Sequence, residues 1–484
     1  MIIGDDEMNH DGQKTRRTDI PGCVSYLSNF ERLWSLANVA MIARIIGDVS
    51  KADLKQALDK VRYMHPLIGS RIIFDDRNVA WLSTDAVPET VLRIVSRTSE
   101  TQWLDEIRHE NMMPFEREKG PMIRFIHLYS PKVSELIVFA NHSICDGMSL
   151  AILIRDILIC YSEPLKEAQV LYPPTMADHI PRGSLLSRLA KKAIIGYYNS
   201  QWKKRLHYLS QADYNELIAF YWGKYQSSIV LLQLGLDETF DLIARCRENG
   251  STVGSALTAA FLAAYQDVIG PFPKKRRRIT IAYDLRRHLR ECVGDVFCFF
   301  AWGTTFPFSY DGRKSFWKNA QDLHVITQKK VDKLDASNTE LFYFDPGLID
   351  AFNLAPFLQI VPEAFDRTEK LAALAQDTKN SAFSISRKFM SIYPSAGITN
   401  LGSLDFPVTY GNLRLDLMVF VPPASPFAPL IIGGISVGGK LVFSLNYVEH
   451  MGGDGSFITA DMIKIRNRAL EYLGFPGKVN DKAI

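Results

Sequence analysis

Cysteine is scarce and dispersed: Cys23, Cys145, Cys160, Cys246, Cys292 and Cys298 include no C-x-x-C pair. Neither a zinc knuckle nor a disulfide framework is therefore expected, and the thiols read as buried groups in a reducing compartment. Long apolar runs are missing too. Arg155 interrupts the stretch from 148 to 161, and Lys440 with four glycines interrupts that from 430 to 445, so no run reaches the ~18 residues of a transmembrane helix. The first twenty residues carry Asp5, Asp6, Glu7 and Asp11 rather than a basic start and an apolar middle. That speaks against a secretory signal and for a cytoplasmic location. Excess charge is small, 56 Lys plus Arg against 53 Asp plus Glu, or +3 over 484 residues, and predicts no nucleic-acid partner. Repeats and low-complexity tracts are absent.

What is present is the composition of a chain able to bury a large core, 47% hydrophobic and 23% charged, with a length suited to roughly three domains or two large ones. Leu54, Ala57, Leu58 and Val61 recur at i, i+3, i+4 and i+7 before Pro66, which predicts an amphipathic helix over 53–64. Strands are expected at 72–74, 91–95 and 122–128, with a helix at 101–111 between the last two. The continuous apolar run Leu136 to Ala140 reads as a strand covered on both faces, followed by Asn141-His142-Ser143-Ile144-Cys145-Asp146-Gly147 and an apolar helix over 148–160. Prolines at 173, 174 and 181 mark a crossover, and the division is placed near residue 200. This gives a polar tail over 1–20, an N-terminal lobe over 21–200 and a C-terminal lobe over 201–484. In the second half, helices are expected at 237–248, 252–265, 348–354 and 460–473, and strands at 279–283, 297–306, 412–421 and 440–447.

His142 is the residue on which chemistry centres. An imidazole takes and returns protons near neutrality, and this one follows a buried strand in a turn with Asp146 four residues on and Gly147 next. Taken alone, the pattern reads more readily as a packed core histidine than as a base.

Other segments lie in order around it: Arg32-Leu33-Trp34-Ser35-Leu36, His65-Pro66-Leu67, Pro114-Phe115 with Gly120-Pro121 and Arg124, Tyr283-Asp284-Leu285-Arg286 with Gly294, and Thr399-Asn400-Leu401-Gly402. With these the chain resembles, over most of residues 25 to 450, the His-x-x-x-Asp acyltransferase superfamily. That superfamily includes chloramphenicol acetyltransferase, peptide-synthetase condensation domains, wax ester synthases and alcohol acetyltransferases. Asn141 stands where the signature has its first histidine; the second, here His142, is the one assigned catalysis. The Asp-Phe-Gly-Trp-Gly signature of plant members and the last condensation-domain motifs are absent. The resemblance implies an α/β fold of two chloramphenicol-acetyltransferase-like lobes, mixed sheets flanked by helices, with an active-site tunnel between them. It also implies His142 as general base and Asp146 as a structural partner of an arginine, for which Arg286 is the candidate. Gly147 N–H, Asn400, Gly402 and Ser403 are position-based candidates for the oxyanion or channel. Acyl-CoA is then the co-substrate, with no permanently bound cofactor and no metal. The acceptor is an alcohol or amine.

Several alternatives stay open. Cys145 is a possible thiol nucleophile. The run Lys274, Lys275, Arg276, Arg277, Arg278 is either a solvated loop, a nuclear-type address, a nucleic-acid contact or a contact to coenzyme A phosphates. Residues 181–207 hold seven bases and no acid, which suits either an interdomain helix or a peripheral membrane contact. Aromatics over 341–365 and 424–427 suit a core or a channel. An acyl carrier protein is a further candidate donor, and an inactive scaffold relative is the non-enzymatic alternative.

Overall fold

The computed structural model describes residues 6–8, 14–16, 22–75, 79–174, 185–289, 292–332, 343–377, 379–451 and 456–477. Most of the polar tail over 1–20, Pro181, Arg182 and Leu341 lie outside these.

The amphipathic helix forms where its period requires, Lys51–Met64. Ser50 caps its start by accepting from the Asp53 N–H, and Leu54, Ala57, Leu58 and Val61 are its buried stripe. Pro66 cannot continue it. Burying Leu54, Leu58 and Val61 contributes about 1.5–3 kcal/mol each, and the face they form packs on a second helix, Gly147–Ser162. Between the two, His65 Nε2 and Asp156 Oδ2 meet at 2.9 Å, both buried.

Two six-stranded mixed sheets build the two halves. The first runs, edge to edge, Thr409–Tyr410, Leu413–Val421, Asn38–Ile46, Val133–Asn141, Ile123–Tyr129 and Leu92–Ser96. The second runs Tyr225–Leu234, Lys440–His450, Leu430–Val437, Ala396–Leu404, Arg278–Asp284 and Ala301–Pro307. A small sheet of Cys23–Tyr26, Ala80–Ser83 and Arg71–Phe74 lies beside the first. In Val133–Asn141 every residue after Val133 is buried, which explains its unbroken apolar run: antiparallel neighbours flank it and both faces are covered. In the second half, helix Val253–Val268 packs against Phe316–Asp332 and Ser456–Tyr472, and its buried Ala256, Ala259, Ala260, Ala263 and Ala264 allow close approach.

The sheets do not follow chain order. Residue 200 lies within helix Leu185–Lys203, and Leu413–Val421 leaves the second half to pair antiparallel with Asn38–Ile46, Phe420 opposite Met41 and Val421 opposite Ala40. This crossing strand rests directly on the second sheet. Ser444 Oγ donates to the Phe420 carbonyl at 2.5 Å, and a Cβ at Gly433 would lie 2.7 Å from that same oxygen and 2.5 Å from Pro422, so only glycine fits there. One core accordingly spans both halves, joining Phe139 and Ile144 to Phe297, Phe299, Trp302 and Phe420.

One expected strand is shorter than its apolar run. Only Ala301–Pro307 of the 297–306 segment joins a ladder; the Cys298 N–H goes to Ser149 Oγ and the Phe300 N–H to Asp146 Oδ2. These backbone donors serve the start of a helix in the other half instead of a neighbouring strand.

Candidate active site

The turn after Val133–Asn141 is pinned from several directions. Asn141, where the signature has histidine, donates through Nδ2 to the Ser35 carbonyl at 2.9 Å and accepts through Oδ1 from the Ser143 N–H and hydroxyl at 3.1 and 2.6 Å. The His142 N–H donates to the Ala37 carbonyl. The turn is thus sewn to the segment that opens strand Asn38–Ile46.

Within it, His142 Nδ1 lies 2.7 Å from the Cys145 carbonyl oxygen. A carbonyl only accepts, so Nδ1 carries the hydrogen and Nε2 keeps its lone pair. Trp34 and Phe299 wall the ring with centroids at 4.9 and 5.1 Å, one from each half of the chain. Burial pushes the His142 pKa down, against smaller upward pulls from the Cys145 carbonyl and Asp146. The imidazole is therefore neutral at neutral pH, the form that accepts a proton. Cys145 is unsuited to nucleophilic work. It is fully buried, its thiol donates to the Asn141 carbonyl, and burial holds it protonated well above the ordinary thiol range.

Asp146 has both oxygens committed elsewhere. Oδ1 accepts from the Ser149 N–H at 2.7 Å and caps helix Gly147–Ser162; Oδ2 accepts from the Phe300 N–H at 2.8 Å and faces Arg286 at 3.4 Å. Arg286 in turn binds Asp284 at 3.0 Å, donates to Ser149 Oγ at 2.7 Å and to the Val296 carbonyl at 3.1 Å, and stacks 4.1 Å over Phe300. Ser149 completes the knot by donating to the Cys298 carbonyl at 2.5 Å. This cluster joins the two halves immediately behind His142. Ser149 and Phe299 did not emerge from the sequence, although Asp146-Gly-Met-Ser149 is a readable cap pattern.

Gly147 is held for space: a Cβ there would meet the Phe420 ring at 2.4 Å. As the first residue of its helix, its N–H falls outside the intrahelical bonding pattern. Asn400, Gly402 and Ser403 lie on Ala396–Leu404, where the ladder with Leu430–Val437 breaks between Asn400 and Ser403. Asn400 Oδ1 accepts from the Gly402 N–H at 3.0 Å, and Gly402 adopts φ +79°. No hydrogen bond joins these three to His142 among the described residues.

Lys274, Lys275 and Arg276 form a short 3-10 turn at the far end of Arg278–Asp284 from Arg286, about 20 Å away by strand rise. Arg276 donates to the Tyr393 and Phe427 carbonyls, whereas both lysines are exposed. Helix Leu185–Lys203 carries much of the basic 181–207 segment, with Ile195 and Trp202 buried and Ile194 and Tyr197 exposed. Among the described residues, no helix is long and apolar enough to cross a membrane. Between the sheets lies a space of about 50 Å3, lined by Ala37, Asn38, Phe139, Ser228, Val421 and Asn446 among others.

The short helix Asn29–Arg32 that leads to Trp34 contains a buried acid. Glu31 accepts from the Ser28 N–H at 2.6 Å, and burial raises its pKa from 4.5 to about 7. Between those values the folded state holds a proton that the unfolded state has lost, so this contribution to stability is complete below pH 4.5 and gone above about 7. Chemical denaturation across that range is expected to show the parent losing roughly 3 kcal/mol relative to Glu31→Gln; parallel curves would refute the assignment.

No protein-family model matches the chain. A linear gramicidin synthase of Brevibacillus parabrevis is 21% identical over 174 residues, 34% of this chain; the match spans only 3% of that protein. The trichothecene 15-O-acetyltransferase of Fusarium sporotrichioides superposes with a TM-score of 0.58 at 13% identity, covering 92% of each chain. The first condensation domain of the calcium-dependent antibiotic synthetase superposes with a TM-score of 0.57 at 12% identity, over 96% of this chain and 99% of that one. The chain therefore has the two-lobed α/β fold shared by condensation domains and this acetyltransferase.

Proposed function

We propose that the chain is an acyltransferase that moves an acyl group from an acyl-CoA thioester to an alcohol or amine, with His142 as general base. The observation that carries this is the Nδ1 bond to the Cys145 carbonyl, which fixes the tautomer whose Nε2 is the base, in a fold that condensation and acetyl-transfer enzymes share. Nε2 accepts the acceptor's proton as its oxygen or nitrogen attacks the thioester carbonyl. The tetrahedral intermediate collapses and the imidazolium returns the proton to the departing thiolate. Attack is direct, with no acyl-enzyme. The Gly147 N–H is the candidate donor for the oxyanion, with Asn400 and Ser403 as alternatives. Asp146 and Arg286 hold the loop in place and do not relay protons. Donor and acceptor enter from opposite sides of the seam between a lobe before residue 200 and one after it, and the exposed Lys274 and Lys275 meet the coenzyme's phosphates. A cytoplasmic location fits a CoA thioester.

A second reading, a carrier-bound donor, draws on the synthase relative. Thiol release from a panel of acyl-CoA donors, with pooled alcohols and amines, tests the proposal against the same acyl groups on carrier protein. Acceptor-dependent release from acyl-CoA is expected. Release from the carrier alone would transfer the activity to the second reading, and release from neither would overturn both.

A further inference from the structure

A separate cavity of about 450 Å3 borders the segment that carries Trp34, within the usual size of small-ligand pockets. Arg32 and Ser35 enter it from that segment, Arg117 and Glu118 from the loop before Gly120, Tyr214 from helix Gln211–Lys224 and Asp350 from helix Pro346–Leu354. Its charges are unevenly matched. Arg32 is paired with Asp350 at 3.1 Å and His207 with Asp377 at 3.1 Å. The Arg117 guanidinium has no carboxylate within ion-pair distance among the described residues; its Nε donates to Gln211 Oε1 at 3.2 Å and its plane lies 3.7 Å over the Tyr214 ring.

Tyr214 is only 4% exposed, and its hydroxyl has the Arg117 guanidinium as its partner. The Arg117 charge sits close to the Tyr214 oxygen and pulls its pKa down, but burial and the Asp350 charge outweigh it and raise that hydroxyl to about 12, so it is an O–H donor throughout the neutral range. A guanidinium beside a phenol O–H is a donor pair suited to one carboxylate. Asp350 and the exposed Glu118 disfavour a dianion. Leu27, Ile72 and Phe74 supply an apolar wall.

We propose that this cavity binds an amphipathic monocarboxylate, its head on Arg117 and Tyr214 and its tail against Leu27, Ile72 and Phe74. The site stands on its own geometry, whatever chemistry His142 performs.

Calorimetric titration of the full chain with octanoate and with 1-octanol tests it. Octanoate is expected to bind at a single site about tenfold or more tightly than 1-octanol, Arg117→Met to erase that preference, and Tyr214→Phe to weaken octanoate several-fold. His142→Ala should bind octanoate as the parent does, so loss of turnover and loss of this site read out separately. Equal binding of acid and alcohol, no binding of either, or a preference that survives in Arg117→Met would overturn the proposal. Should Arg117→Met not fold, the acid-to-alcohol comparison on the parent and on the near-isosteric Tyr214→Phe decides alone.

Discussion

His142→Ala is expected to lower kcat/KM for acyl transfer by about 10²–10⁴ while the chain remains folded. On the proposed mechanism the ring contributes two things, a base and a modest amount of packing. Its Nδ1 bond is internal to the turn, and the turn is independently held by Asn141 on Ser35 and by Asp146 on Ser149 and Phe300. Removing the imidazole therefore takes away the proton acceptor and leaves the scaffold. His142→Gln, which retains a polar group without a titratable nitrogen, should be similarly slow. An alanine variant with parent turnover would exclude general-base catalysis by this residue and favour a scaffold role for the protein.

Asp146→Ala has the opposite signature. Its carboxylate caps a helix, accepts the Phe300 N–H and faces Arg286, all at a seam where it is only 3% exposed. Breaking a buried charge pair from one side costs about 3–5 kcal/mol and losing the cap about 1 more. Asp284 remains bound to Arg286, so the lower part of that range plus the cap, about 4 kcal/mol in all, is expected in chemical denaturation. Asp146→Asn keeps an acceptor for the Ser149 N–H and should lose less. Activity should fall with the folded fraction and with the precision of the turn. Parent stability combined with abolished turnover would instead give Asp146 a direct part in the chemistry.

The elements most legible in the sequence were those whose period is local. Leu54 to Val61 repeat every three or four residues between a Ser cap and a proline, and the helix sits where that pattern ends. The apolar run before His142 read correctly as a strand because it is bounded by a polar turn. Asn38–Ile46 is equally apolar, but a short apolar run does not separate strand from buried helix; its pairing comes from Val133–Asn141 and Leu413–Val421, both distant in sequence. Leu413–Val421 read as a strand, but its transfer to the other sheet rests on contacts with Gly433 and Ser444 that no local pattern carries. At the site, His142, Asp146 and Gly147 stand together in sequence. Arg286 was named only through the resemblance, and the structure places it 3.4 Å from Asp146. Ser149 and the 297–300 backbone were missed because a hydroxyl or an N–H bridging two halves leaves no periodic trace.

The pH profile of kcat/KM tests the central claim most directly. Burial outweighs the Cys145 carbonyl and the Asp146 charge and sets the His142 pKa below its ordinary 6.5. The base form therefore persists into mildly acid solution, and the rate should fall only as pH drops through that lowered value. The account predicts a single acid limb with an apparent pKa below 6.5, absent from the residual activity of His142→Ala. A limb centred at about 7 or above, or an acid limb that survives the substitution, would contradict it.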